Sequence, residues 1–148
     1  MEYKIETLPN YRIAYKRRIG PYGPENINVM TELKGWASAR NLLQSSILYA
    51  VPLDNPESTK PEDCRFDACI VIDNNYPLDN TISERDLLGG RYLMFKIRHT
   101  TEAIQEAYTK LHTWIQKSGY QMDNKPIMER YKADLLKNHY CEICVPIK

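Results

Sequence analysis

The sequence predicts an α+β domain made of one strand-strand-helix-strand-strand unit written twice. Its strands join in an antiparallel sheet that carries both helices on one face, with a central cleft between them. Three observations predict this. The segment Thr31-Glu-Leu33-Lys-Gly-Trp36 returns 78 residues later as Thr109-Lys-Leu111-His-Thr-Trp114. Each copy lies between strand-like runs of similar order. The 148 residues are the length of one domain, enough to bury roughly two-thirds of the surface that the unfolded chain exposes. A single domain over 1–148 is therefore expected, with pseudo-repeats over about 1–73 and 83–148.

The elements follow in order. Tyr11, Ile13, Tyr15 and Ile19 alternate with Arg12, Lys16 and Arg18, the period of a half-buried strand whose basic run Lys16-Arg17-Arg18 is read as a solvated edge. Gly20-Pro-Tyr-Gly23-Pro24 ends it. Pro24 suits the first turn of a helix whose apolar stripe is Ile27, Met30, Leu33, Trp36 and Ala37, running to about Leu43. Ile47 to Pro52 and Arg65 to Ile72 read as strands around a polar loop from Asp54 to Asp63. Asn74 to Ser83 holds turn residues and little to bury, so it reads as the connector between halves. Glu84 to Leu88 and Arg91 to Arg98 flank Gly89-Gly90, which predicts a hairpin. Thr100 can cap the second helix, Ile104, Ala107, Tyr108, Leu111, Trp114 and Ile115 form its stripe, and Gly119 follows its end. Ile127 to Ala133 and Tyr140 to Ile147 are the closing strands.

Composition narrows the function. A net charge of +1 gives no electrostatic footprint for nucleic acid. No run approaches the roughly 20 apolar residues of a spanning helix, and Met1-Glu-Tyr-Lys has no apolar signal core, so a cytoplasmic location without membrane contact is expected. Cys64, Cys69, Cys141 and Cys144 are then expected as free thiols. Cys141 and Cys144 match C-x-x-C, but on a strand residues three apart face opposite sides and cannot share a zinc ion or a disulfide. His99, His112 and His139 show no ligand spacing, so neither metal nor cofactor is expected.

Function should lie where the copies differ. Aligned on the repeat, Glu129 takes the place of Tyr49, and Glu142 the place of Ala68. Tyr131 has the strand parity of Glu129 and should share its face. Both tryptophans lie on helical stripes and read first as core, with Trp36 also a candidate wall of the cleft. Tyr22, Tyr92 and Tyr108 are further aromatic candidates that the sequence does not rank.

Several segments together resemble the GyrI-like domains, which are also the effector-binding domains of AraC-type and MerR-type multidrug-sensing regulators such as Rob and BmrR. They are Gly-Pro-Tyr22, Leu33-x-x-Trp36, Asp-Asn-Pro56, Arg65-Phe-Asp-Ala68, Gly-Gly-Arg-Tyr92, Leu111-x-x-Trp114 and Glu142-Ile-Cys-Val-Pro-Ile-Lys148. The resemblance runs over essentially the whole chain and implies a stand-alone member, with no segment left for a helix-turn-helix. It implies binding of bulky, often cationic and aromatic compounds through Glu129 and Glu142, with Tyr49, Trp36 and Tyr131 as walls, in drug or toxin sensing or sequestration. Cys141 stands where the family has Thr, which leaves the Glu142 carboxylate in place. Two alternatives accompany it. One is hydrolysis of reactive cyclopropane-type genotoxic compounds, with Glu129 or Glu142 orienting water and Tyr49 assisting. The other is a protein partner such as gyrase.

Overall fold

A computed structural model describes residues 1–44 and 46–148. The chain runs β1 (Lys4–Leu8), β2 (Tyr11–Ile19), α1 (Asn26–Ala39), β3 (Leu48–Pro52), β4 (Arg65–Ile72), β5 (Ser83–Leu87), β6 (Gly90–Arg98), α2 (Thr101–Ser118), β7 (Met128–Tyr131), α3 (Ala133–Leu136) and β8 (Tyr140–Pro146), with a single 3-10 turn at Pro61–Asp63. The repeat is present as expected: two strands, a helix and two strands, with α3 inserted in the second copy. All strands form one antiparallel sheet in the order β1-β6-β8-β7-β3-β4-β2-β5. β7 and β3 meet at its centre, so each half supplies four neighbouring strands except that the first strands are exchanged. β1 pairs with β6 of the second half, and β5 pairs with β2 of the first.

That exchange corrects the hairpin reading of Gly89-Gly90. β5 is one end of the strand order and β6 is next to the other end, and the glycines carry the chain between them. They do so beside the equivalent crossing from β1 to β2. A Cβ on Gly89 would lie 2.1 Å from the Leu8 carbonyl oxygen, and the Gly89 N–H donates to Asn10 Oδ1 at 2.7 Å. Glycine is needed here because two backbones pass in contact. Strand β1 shows too little alternation to be read from sequence, since it lies at an edge where Ile5 is 40% exposed.

α1 and α2 cover one face. Val29, Leu33, Trp36 and Ala37 of α1 pack on Ala14, Leu48, Ala50, Phe66, Ala68, Ile70 and Ile72. Ile27, which the expected stripe included, is exposed, because the helix begins at Asn26 rather than Pro24 and Val29 takes the inward position. Its end comes at Ala39 rather than Leu43, where Asn41 adopts φ 57°. α2 lays Ala107 and Leu111 on Leu93, Phe95, Ile97, Cys141, Ile143 and Val145. Its ends are as expected: Thr100 Oγ1 accepts from the Ala103 N–H, and Gly119 closes the helix at φ 79°.

Among the described residues no helix packs on the middle of the other face, yet Leu8, Ile13, Tyr49, Val51, Cys69, Leu87, Tyr92, Met94, Met128 and Cys144 are all buried there. The sheet curls to close that face on itself. β1 and β7 would lie about 14 Å apart in a flat sheet, three strand spacings. A 2.7 Å ion pair between Glu6 and Arg130 nonetheless joins them.

Candidate functional site

α1 packs on β2 and β4 and α2 packs on β6, so the central strands β3 and β7 lie between the helices. β7 alternates across the sheet. Met128 and Arg130 turn to the curled inner face, while Glu129 and Tyr131 turn to the helix face. Glu129 stands opposite Ala50 on β3 and Ile143 on β8, and Tyr131 packs against the cores beneath both helices. The small side chain of Ala50 leaves room above the strand junction where the carboxylate sits.

Two phenols hold that carboxylate. The Tyr108 hydroxyl, from α2, donates to Glu129 Oε2 at 3.0 Å, and the Tyr131 hydroxyl donates to Oε1. Burial, reinforced by the Glu129 charge, pushes both phenols far above the usual tyrosine range, so both remain donors at any physiological pH. The His99 ring lies 5.3 Å from the Tyr131 ring, and burial and the nearby Lys34 ammonium lower its pKa. Among the described residues Glu129 makes no ion pair. A half-buried carboxylate with two neutral donors and no counter-charge is suited to select a cation.

The structure separates residues that the sequence had grouped. Glu129 and Tyr131 share the cleft as their parity requires. Glu142 and Tyr49 are on the inner face, turned away from it. Tyr49 pairs with Arg130, not with Glu129, and Ala68 faces α1 while Glu142 faces away. The strand register makes Arg130 the counterpart of Tyr49 and Glu142 the counterpart of Cys69, one residue from the matches read in the sequence, and one residue on a strand reverses the face. Trp36 belongs to the core under α1. Its indole N–H donates to Thr81 Oγ1 at 3.3 Å, and the Arg40 guanidinium lies 4.4 Å from its ring centre. Its polar edge and one face are thus already occupied.

On the inner face Glu142 has a structural partner. Arg130 Nε donates to Glu142 Oε1 at 2.9 Å, while Nη1 and Nη2 donate to the two Glu6 oxygens at 2.7 and 3.1 Å. Arg130 and Glu142 are 1% and 2% exposed. Burial pulls the Arg130 pKa down, but the Glu6 hydrogen bonds and the Glu142 charge outweigh it and raise it. The Tyr49 hydroxyl is buried with no hydrogen-bond partner among the described residues, since the neighbouring guanidinium donates to the carboxylates instead. The first half carries the inverse cluster. Buried Asp67 accepts from Arg17 at 2.7 and 3.0 Å and from Arg85 at 2.9 and 3.1 Å, and both guanidinium carbons lie 5.3 Å from the Tyr15 ring centre.

A shallow cavity of about 370 Å³ opens beside Glu142, lined in part by Lys4, Lys96, Lys132 and Leu135. Among the described residues no group of three His, Cys, Asp or Glu side chains gathers to hold a metal. Cys141 and Cys144 do lie on opposite faces, one under α2 and the other in the inner core. No helix of the described residues is long and apolar enough to cross a membrane.

Tyr108 is the site residue that the sequence named among its aromatic candidates but could not rank. Its signal was its place on the α2 stripe next to Ala107, three residues before Leu111, which turns it toward the sheet. A lone aromatic on such a stripe reads as core until a carboxylate is known to lie beneath it.

A duplicated α+β unit with its two helices astride a carboxylate-floored cleft defines a small-molecule-binding domain. The GyrI-like small molecule binding domain family matches residues 1–148, and the chain belongs to that family. Among its relatives, the SPbeta prophage-derived protein YosT of Bacillus subtilis, named as a transcriptional regulator, is 36% identical over the full length of both chains. The DNA gyrase inhibitor of Escherichia coli K12 is 23% identical over 97% of this chain and 93% of its own. Solved structures share the fold. The C-terminal domain of EcmrR superposes with a TM-score of 0.71 at 14% identity, covering 100% of this chain and 99% of that one. SAV2435 bound to tetraphenylphosphonium gives 0.64 at 14% identity, covering 100% and 94%.

Proposed function

We propose that the chain binds hydrophobic, aromatic cations in the cleft between α1 and α2, and that it serves in sensing or sequestering drugs or toxins. The observation that carries this reading is the Glu129 carboxylate, held by Tyr108 and Tyr131 and, among the described residues, without a counter-ion. At an effective dielectric of about 20, its attraction for a unit cation 4 Å away is on the order of 4 kcal/mol before desolvation is subtracted. The flanking rings supply faces on which a planar or propeller-shaped cation can stack. The tetraphenylphosphonium on SAV2435, a protein of the same fold, supports the ligand class. Isothermal titration with tetraphenylphosphonium tests the proposal. Wild type should bind, and Glu129→Gln, which keeps the shape and removes the charge, should lose at least tenfold in affinity. Equal affinity in the two proteins would sink the reading.

Hydrolysis is a second reading, favoured by the direct contact between a carboxylate and two phenols. Glu129 would orient or deprotonate water and a tyrosine hydroxyl would steady the developing oxyanion. Glu142 and Tyr49 do not enter it, because they lie on the other face. Turnover of a cyclopropane-containing electrophile, abolished by Glu129→Gln, would separate catalysis from sequestration.

A further inference from the structure

We propose that Tyr108 sets which cations the cleft accepts, favouring those that carry no N–H over those that do. This rests on the assignment of Glu129 as the charge that faces the ligand. Each Glu129 oxygen already accepts one phenolic O–H, Oε1 from Tyr131 and Oε2 from Tyr108. The two phenols are not equivalent. Tyr131 is two residues along the same strand, wedged between the two helix cores and against His99. Tyr108 reaches over from α2 and is 38% exposed.

A protonated amine gains its full attraction only by donating its N–H to a carboxylate oxygen. At Oε2 that means either displacing the Tyr108 hydroxyl or sharing the oxygen with it, which weakens both bonds. Displacement exchanges one charge-assisted hydrogen bond for another and leaves a phenolic O–H without an acceptor in a partly desolvated cleft, and sharing gives the N–H less than a full bond. A quaternary ammonium or a phosphonium has no hydrogen to donate. It needs only the charge and the aromatic faces, and it leaves the Tyr108 bond in place. The hydroxyl therefore penalises protic cations and is indifferent to aprotic ones. Because the phenol stays protonated at physiological pH, the discrimination should not vary there.

A matched pair of probes reads this directly: diphenylmethyl-trimethylammonium and diphenylmethyl-dimethylammonium, which differ by a methyl group against an N–H. Each is titrated at pH 7 into wild type, Tyr108→Phe and Glu129→Gln. Tyr108→Phe removes only a hydroxyl, so its circular dichroism should match wild type and its melting temperature should fall by only a few degrees. Wild type should prefer the quaternary probe. In Tyr108→Phe the ratio of the two affinities should move toward the protic probe by about tenfold, roughly what one hydrogen bond to a charged group is worth. An unchanged ratio overturns the proposal and leaves the cleft reading standing. An equal loss of both probes also overturns it, because Tyr108 would then be an ordinary wall. Binding of neither probe to wild type overturns it as well. If tetraphenylphosphonium binding is then also absent or insensitive to Glu129→Gln, the cleft reading falls separately.

Discussion

Replacing Arg130 with methionine should cost more than any other single change on the inner face, and should reverse how stability responds to acid. The guanidinium is 1% exposed and holds two carboxylates with N–O distances of 2.7 to 3.1 Å. Methionine fills much of the volume but leaves Glu142, itself 2% exposed, beside Glu6 with only the solvent-exposed Lys4 ammonium, 3.6 Å from Glu6 and 4.0 Å from Glu142, as counter-charge. Breaking a buried pair in this way costs about 3–5 kcal/mol, which for a chain of this size lowers the melting temperature by roughly 10 °C or more. The pH response fixes the cause. In wild type the Arg130 hydrogen bond is the main influence holding the Glu6 pKa below its ordinary value of 4.5. A depressed folded-state pKa adds stability that is present above the unfolded value and lost as pH falls through the folded one. Wild type should therefore weaken on acidification from about pH 4.5 downward. In Arg130→Met the repelling carboxylates would take up a proton on folding, so acidification from pH 7 toward 5 should strengthen it relative to wild type. Urea unfolding at several pH values between 3 and 7 measures both. A loss under about 1 kcal/mol at pH 7, or parallel stability curves for the two proteins, would refute the reasoning.

Three further outcomes are expected. Asp67→Asn should destabilise by about 1–3 kcal/mol in urea unfolding, less than Arg130→Met, because Arg17 and Arg85 are partly exposed and can turn to water. Gly89→Ala should cost about 3 kcal/mol or more in the same assay, since its Cβ would meet the Leu8 carbonyl and neither backbone can move without disturbing a strand crossing. The four cysteines are all buried, and burial pushes the Cys141 thiol up to about 12. A thiol reagent at pH 8 should label none of them in the native protein and all four in denaturant, and rapid native labelling would contradict the packing.

Much of the fold was legible because it is periodic. The alternation of β2, the helix between Thr100 and Gly119 and the order of the repeat all depend on local chemistry, which a sequence displays. What was lost depends on contacts between distant segments. Gly89-Gly90 has the composition of a hairpin, but its strands pair with β2 and β6's own neighbours rather than with each other, a fact that the five residues on either side do not encode. The site was half legible. Glu129 and Tyr131 share a face by parity alone, whereas placing Tyr49 and Glu142 needed the register between halves, and the connecting segments differ in length. Asp67 and its arginines were missed because a charged residue at a strand centre reads as exposed until its partners are seen across the curl.

The exchange of β1 and β5 has a consequence for how such a site can arise. Each half completes its sheet with the other half's first strand, which is the geometry of a strand-swapped homodimer whose two subunits have been fused into one chain. In a true homodimer any residue near the twofold axis appears twice. A glutamate at the position of Glu129 would have its own copy at the position of Leu48, on the same face of the neighbouring strand, and the two like charges would repel. Fusion removes that constraint. Leu48 can stand where the copy of Glu129 would be, so a single carboxylate, opposite the small Ala50, serves the site alone.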